Sequence, residues 1–351
     1  MELINDIRTS KDFQGYSFSN HKKSEVRKQL IQNILNSKIE ESCYWSAELL
    51  CAGHFVELWD IIIVVVCRHI HLANPKLILY VENRYENFKK VINSGEFLNE
   101  LDIRNDHNIR TIFCEIICIL CFSNKKPAFE LLKIQKKDEF DLIKFGEKLK
   151  ANNNTYASTI FLKEDPNELY IPINEFMFHL SNQSKNMLNA CYWIEWIIDF
   201  NLSCKKKKNK CTIQSRQYIN VENKYLNEPI WLIWDALLHY GEKDSYIDKL
   251  IKSLLNIFCI KFSDGSSRKR RYLIYFGVSL IIESIDKTIP IIQDKNKIKP
   301  ILENIEKIYK QIKKKEQSPN TEYMFHNVQK EQAIKKSIAQ INLVNSIQVK
   351  K

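Results

Sequence analysis

Glycine occupies only 7 of the 351 positions and proline only 8. A chain so poor in both has few tight turns and is built from long helices. It is also badly equipped to cradle phosphates, because such loops need glycines that let backbone amides approach the ligand. The seven glycines, at positions 15, 53, 95, 146, 241, 265 and 277, form no Gly-x4-Gly-Lys-Ser/Thr loop. A Ser/His/Asp order, a His-Glu-x-x-His helix and a dinucleotide fingerprint are missing as well. The reading is therefore a non-enzyme, with no catalytic residue and no cofactor assigned. Long apolar runs are lacking too. Ile61-Ile62-Ile63-Val64-Val65-Val66-Cys67 is closed by Asp60 and Arg68, far short of the about 20 residues a membrane span requires. It reads as a buried helix or strand, and no membrane partner is expected. A disulfide framework is absent: of ten cysteines, Cys43, Cys51, Cys67, Cys114, Cys118, Cys121 and Cys259 fall inside apolar helical patterns, where cysteine acts as a small buried hydrophobe. The start, Met1 to Asp6, is polar and acidic rather than leader-like, so a reducing intracellular compartment is expected.

What the chain does contain is a pattern written twice. Ser42-Cys43-Tyr44-Trp45 opens one apolar helix and Ala190-Cys191-Tyr192-Trp193 another. Each is followed by a second tryptophan helix, Leu58-Trp59-Asp60-Ile61 in the first half and Ile233-Trp234-Asp235-Ala236 in the second. With only 6 tryptophans in the chain, the matched order marks an internal repeat. The fold class that follows is mainly α, with two tandem helical collar-like domains and a basic C-terminal helical extension. Residues 1–22 read as a flexible arm and 23–135 as the first repeat. Residues 136–172 form a polar linker in which Thr159 to Leu162 and Leu169 to Ile171 could pair as short strands. Residues 173–290 are the second repeat, with a basic insertion at 201–227. Residues 291–351 are a basic amphipathic helix (Lys295 to Lys315) and tail. Ser24, Asp106 or Asn108, and Gly53 supply helix start and stop signals.

Residues 40–130 resemble the helical collar and oligomerisation region of clamp-loader-type ATPases, nearest to the replication-associated recombination ATPases of that clade. Tyr44-Trp45, Leu49-Leu50 and Ala52-Gly53 stand where that family has an aromatic pair, a Leu-rich stretch and an Ala-Gly helix end. Ile70-His71-Leu72-Ala73-Asn74-Pro75 stands for its Ile-Gly-Leu-Ala-Asp-Pro turn. Glu115 to Phe122 followed by Ser123-Asn124-Lys125-Lys126-Pro127 is a loose counterpart of its last helix and Pro-Lys-Ser-Asn cluster. The departures are Arg68-His69 for the family's Glu-Asp and His71 for its glycine. Because the collar is an assembly surface, the resemblance implies protein partners or self-association, without the ATPase module. The whole-chain pattern is also similar to uncharacterised proteins of large DNA viruses. A virion structural role, as a minor capsid or core protein, is thus the alternative to a replication or genome-processing scaffold, and a cytoplasmic factory or the virion the corresponding location.

The formal charge is +11, and residues 291–351 alone hold 13 Lys against 6 acids. Abundant Lys, Asn and Ile also fit an A+T-rich genome. The sharpest nucleic-acid candidate is the insertion, where no acid occurs between Asp199 and Glu222. Its cations are Lys205, Lys206, Lys207, Lys208, Lys210 and Arg216. Phosphate binding needs several cations able to release counterions, and Tyr218 and Tyr225 could stack on bases; the contact would be non-specific. An acidic protein surface and a merely solvated loop are the other readings. Arg268, Lys269, Arg270 and Arg271 extend the basic set and also match a nuclear-localisation pattern; four cations oppose a helix N-terminal dipole, which favours an anionic partner. No metal ligands are assigned. Cys204 and Cys211 lack zinc-knuckle spacing, Cys114, Cys118 and Cys121 share one helical face but read as core, and His69 and His71 lack accompanying carboxylates. Asp60 and Asp235 are expected to recur for a structural reason, a cation or an indole N–H.

Overall fold

The computed structural model describes residues 2–95, 97–132, 146–207, 211–292, 295–317 and 336–344. The protein is mainly α-helical, and no β-strand occurs among the described residues. None of its described helices is long and apolar enough to cross a membrane. Two compact units emerge, one formed by Met1–Lys126 with Ile289–Gln348 and the other around Pro127–Thr288.

Unit 1 begins with α1 (Lys23–Leu35), α2 (Ile39–Cys51) and α3 (Phe55–Val64), then α4 (Leu77–Asn93), α5 (Glu100–Asn105) and α6 (His107–Phe122). Helix α2 stops where the sequence says it should. Gly53 takes φ +70°, its amide donates to Leu50 O at 2.9 Å and the His54 amide donates to Leu49 O at 2.9 Å, the pairing of a Schellman end. A Cβ there would meet the Glu100 carboxylate, which a shift of that side chain relieves, so it is the positive φ that favours glycine. The apolar run Ile61–Cys67 is helical and wholly buried, continuing from α3 into a π-helical stretch, Val65–Ile70. Trp59 closes the core against Tyr85, Phe88 and Phe113 at ring separations of 5.2, 5.6 and 5.2 Å.

Residues 1–22 are not a loose arm. Ile4, Phe13 and Phe18 are buried, and the buried Glu48 carboxylate of α2 accepts hydrogen bonds from Ser17 Oγ, Ser19 N and Ser19 Oγ at 2.8, 2.9 and 2.6 Å. Polar side chains gave this segment the look of a tail, yet their partners are elsewhere in unit 1.

Unit 2 contains α7 (Tyr170–Leu180), α8 (Met187–Lys206), α9 (Ile230–Gly241), α10 (Ser245–Cys259), the single turn α11 (Ser266–Lys269) and α12 (Arg271–Ile282). Two of its helices start on polar caps: Asn186 Oδ1 accepts from Asn189 N at 3.0 Å at the head of α8, and Asp244 Oδ1 from Tyr246 N at 2.9 Å at the head of α10. Trp193, Trp231 and Trp234 are fully buried. The expected strand pieces are instead the 3-10 turn Ala157–Thr159 with its exit, and Asn167–Leu169 leading into α7, so the described part of the expected linker belongs to unit 2.

Two further helices, α13 (Lys295–Glu303) and α14 (Ile305–Lys313), break at Asn304 where one helix was expected. They are not an extension: α13 packs on α6 and α14 on α2, burying Ile298, Ile305, Tyr309 and Ile312. Arg110 of α6, fully buried, fixes this arrangement. Its guanidinium donates to Arg104 O, Glu2 O and Asn105 Oδ1 at 2.9, 2.7 and 2.8 Å. It also approaches Glu306 at 3.4 Å and lies 3.9 Å from the Tyr309 ring centre.

Two stability predictions follow from these cores. Arg110→Ala strands the carbonyls and carboxylate that its guanidinium serves, and should cost unit 1 about 3–5 kcal/mol in urea unfolding, with the N-terminal 22 residues becoming protease-sensitive. In unit 2, His179 has a 2% exposed side chain whose Nδ1 meets Ser184 Oγ at 2.8 Å. Glu175 lies 3.7 Å from its Nε2, but that carboxylate already accepts from the Lys150 and Ala151 amides, and burial pushes the imidazole pKa down to about 4. The unfolded chain takes up this proton near the ordinary 6.5 and the folded one does not. Stability is therefore full above that value and falls as pH drops toward 4. His179→Gln should flatten this part of a melting-temperature profile against pH.

Candidate functional site

The basic insertion starts as the last turns of α8, where lysines complement the negative end of the helix dipole. Lys205 Nζ is held between Glu228 at 2.6 Å and Asp264 at 3.0 Å, whereas Lys206 and Lys207 are exposed. Lys208 and Lys210 lie outside the described residues. The returning strand of chain is packed rather than looped out: Ile213, Ile219, Val221 and Leu226 are buried, and Ile213 N donates to Asn227 O at 3.0 Å.

Arg216 departs most from its sequence reading. It is 4% exposed, with Nη1 and Nη2 donating to Asp165 at 3.0 and 2.7 Å and Nε to Asp235 at 2.8 Å. Two carboxylates and the Gln214 carbonyl consume its charge, leaving none for a phosphate. Burial pushes the Asp235 carboxyl up, against the lowering effect of hydrogen bonds from Tyr218 and Arg216. The Tyr218 hydroxyl is thus engaged while its residue stays 55% exposed. Tyr225 is buried, edge-on to Phe262 at 5.2 Å, and is not a stacking platform for a base.

The Arg268–Arg271 cluster also divides. Arg270 Nη1 donates to Phe258 O at 2.8 Å and to Ile260 O, closing the C-terminal end of α10. Arg271 Nε lies 3.0 Å from Glu195. These partners explain how cations sit at the start of α12 without an external anion. Arg268 and Lys269 remain exposed. Arg268 and Lys205 line one small cleft together with Asn201, Asp264 and Ser267, so the two basic segments, apart in sequence, share a surface of unit 2.

A second constellation lies in unit 1. Cys43 of α2 and Cys114 and Cys118 of α6 face each other, with Cys43 Sγ 3.8 Å from Cys114 Sγ and 4.0 Å from Cys118 Sγ. All three sulfurs lie within 4.8 Å of one another, and all three residues are buried. Hydrogen bonds from Cys118 and Cys43 lower the Cys114 thiol pKa, while their bonds to Cys114 raise those of Cys118 and Cys43. The i, i+4 spacing announced the α6 pair; nothing local announced Cys43, because α2 and α6 meet only in the fold. Cys121 is not in this group. Among the described residues no other set of three possible ligands converges, so His69 and His71 gather none. Burial, with a smaller effect of the neighbouring Cys204, pushes the Cys211 thiol up to about 12.

The chain matches no family model, no curated protein and no solved structure.

Replacing Arg216 should act on folding. Arg216→Gln leaves Asp165 and Asp235 buried without their cation, an expected loss of about 3–5 kcal/mol in chemical denaturation. A variant of unchanged stability would show that the ion-pair network is not holding the insertion.

Proposed function

We propose that the protein is a non-catalytic helical scaffold that binds nucleic acid through the exposed cations of unit 2 and protein partners or further copies of itself through its helical surfaces. The observation that carries the nucleic-acid part is the meeting of the α8 end and the α11 turn at one cleft, edged by Arg268 and by Lys205, whose ammonium Glu228 and Asp264 hold, and continued in sequence by the exposed Lys206, Lys207 and Lys269. Such a patch offers point charges to a phosphate backbone and no base-reading fork, so the binding is sequence-independent and salt-sensitive.

The assembly part rests on the resemblance of residues 40–130 to a clamp-loader-type collar. One detail of geometry supports it. His71 holds φ +49° and ψ −128°, a conformation that glycine adopts readily and other residues do not, at the position where the collar family carries glycine. A role in replication or viral genome processing is the setting this combination fits.

The test is duplex DNA binding across a salt series, for the wild-type chain and for a variant with Lys206, Lys207, Arg268 and Lys269 all changed to Gln. If all four contact phosphates, the slope of log affinity against log salt should be shallower by roughly 3.6, from about 0.9 per contact. An unchanged slope would remove unit 2 from the interface. No binding at low salt would remove the nucleic-acid reading and leave the protein scaffold, a virion component included.

A further inference from the structure

Three thiols packed in a core need no ligand to explain them, but these three have a geometry and surroundings that go further. A divalent cation bound to thiolates at about 2.3 Å in a tetrahedron sets the sulfurs roughly 3.8 Å apart. The separations from Cys43 to its two neighbours, 3.8 and 4.0 Å, already match. The ligands come from two crossing helices, one contributing an i, i+4 pair, so the site would clamp α2 to α6.

Charge and access also favour an ion. Three thiolates around a divalent cation carry one net negative charge, which is costly in a dry core unless a cation stands near. Arg110 is fully buried and sits four residues before Cys114, on the same face of α6. Its partner ring Tyr309 is also buried. Cys43 borders the cleft between α2 and the α13–α14 segment, beside Glu40, Tyr44 and Ile301. A fourth ligand, water or an external group, would come from that cleft, as in zinc sites with three protein ligands.

We infer that Cys43, Cys114 and Cys118 form a binding site for one thiophilic d10 cation of the zinc class. Each thiol enters coordination as thiolate, so loading releases up to three protons to solvent and affinity rises with pH. No electron transfer is involved.

The experiment uses the full chain, purified under reducing conditions, stripped by a chelator and reloaded with Zn2+ or Co2+. The expected result is one zinc per chain surviving gel filtration, and with cobalt a thiolate-to-metal charge-transfer band accompanied by intense tetrahedral ligand-field bands. Cys43→Ala, Cys114→Ala and Cys118→Ala should each bring the metal content to background, while Cys67→Ala, equally buried but outside the cluster, should keep it. The inference is overturned if reduced wild-type chain takes up no zinc and shows no cobalt–thiolate band, a reading that needs no variant to fold. It is overturned too if the triad variants retain zinc or if Cys67→Ala loses as much as they do. Recovery of a Cys43–Cys114 disulfide with no bound metal would likewise replace it.

Discussion

One buried guanidinium sets the plan of unit 1. Arg110 is inaccessible to solvent, and a charge in that position is tolerable only if its donors are met inside the protein. The acceptors it finds belong to the first residues of the chain, to the end of α5 and to α14. Glu306 closes the circuit by accepting from the Glu2 amide at 2.7 Å. Segments about three hundred residues apart thus become parts of one core because a single side chain needs both. The position of α14 then decides the cleft on α2 that Cys43 borders. A second arginine repeats the device at the edge: Arg104 donates to Arg8 O at 2.6 Å and lies over the Phe13 ring at 5.5 Å.

The same economy changes how the basic composition should be read. Arginine, with a flat fork of donors, suits buried carboxylates and carbonyls, whereas lysine keeps its hydrated ammonium at the surface. Unit 2 sorts them in this way. Arg216, Arg270 and Arg271 are bound up in the fold, while Lys206, Lys207 and Lys269 remain outside; Arg268 is the exception. A charge count along the chain therefore overstates what a polyanion would meet. The field available to a phosphate backbone is that of the lysines and one arginine.

Most helices were legible because their apolar positions recur at helical spacing and their ends carry Gly53, Asp106 or a proline. What escaped was set by distant partners. Asp165 and Asp235 lie 51 and 19 residues from Arg216, so nothing beside Arg216 announces its burial. The first 22 residues looked unstructured for the same reason: the hydroxyls and amides of Ser17 and Ser19 are answered by Glu48, Ser10 by Glu100 and the Ile4 amide by Asn105. The break at Asn304 is local but subtle. Asn304 Nδ2 donates to the Pro300 carbonyl at 2.8 Å, while the Asn304 backbone amide turns to Ile301 O at 3.1 Å, a tightened turn that separates α13 from α14. Cys43 illustrates the limit most sharply: its meeting with Cys114 is a property of helix packing and has no trace in spacing.

The repeated Trp-Asp pair shows what the two halves share and where they part. Adjacent residues on a helix point about 100° apart, so a tryptophan aimed into the core leaves the next side chain at the helix flank. In both halves that flank carries an aspartate, and in both an arginine answers it: Arg27 to Asp60 at 2.7 Å and Arg216 to Asp235 at 2.8 Å. Among the described residues neither indole N–H of Trp59 or Trp234 finds a hydrogen-bond partner, so the aspartate serves the cation and not the ring. The arginines come from unlike sources. In unit 1 the donor is α1, with Arg27 30% exposed; in unit 2 it is the insertion, with Arg216 almost sealed. The insertion thus does for the second half what the first helix does for the first half. Its core-facing half does the structural work, while Lys206 and Lys207 at its rim stay exposed.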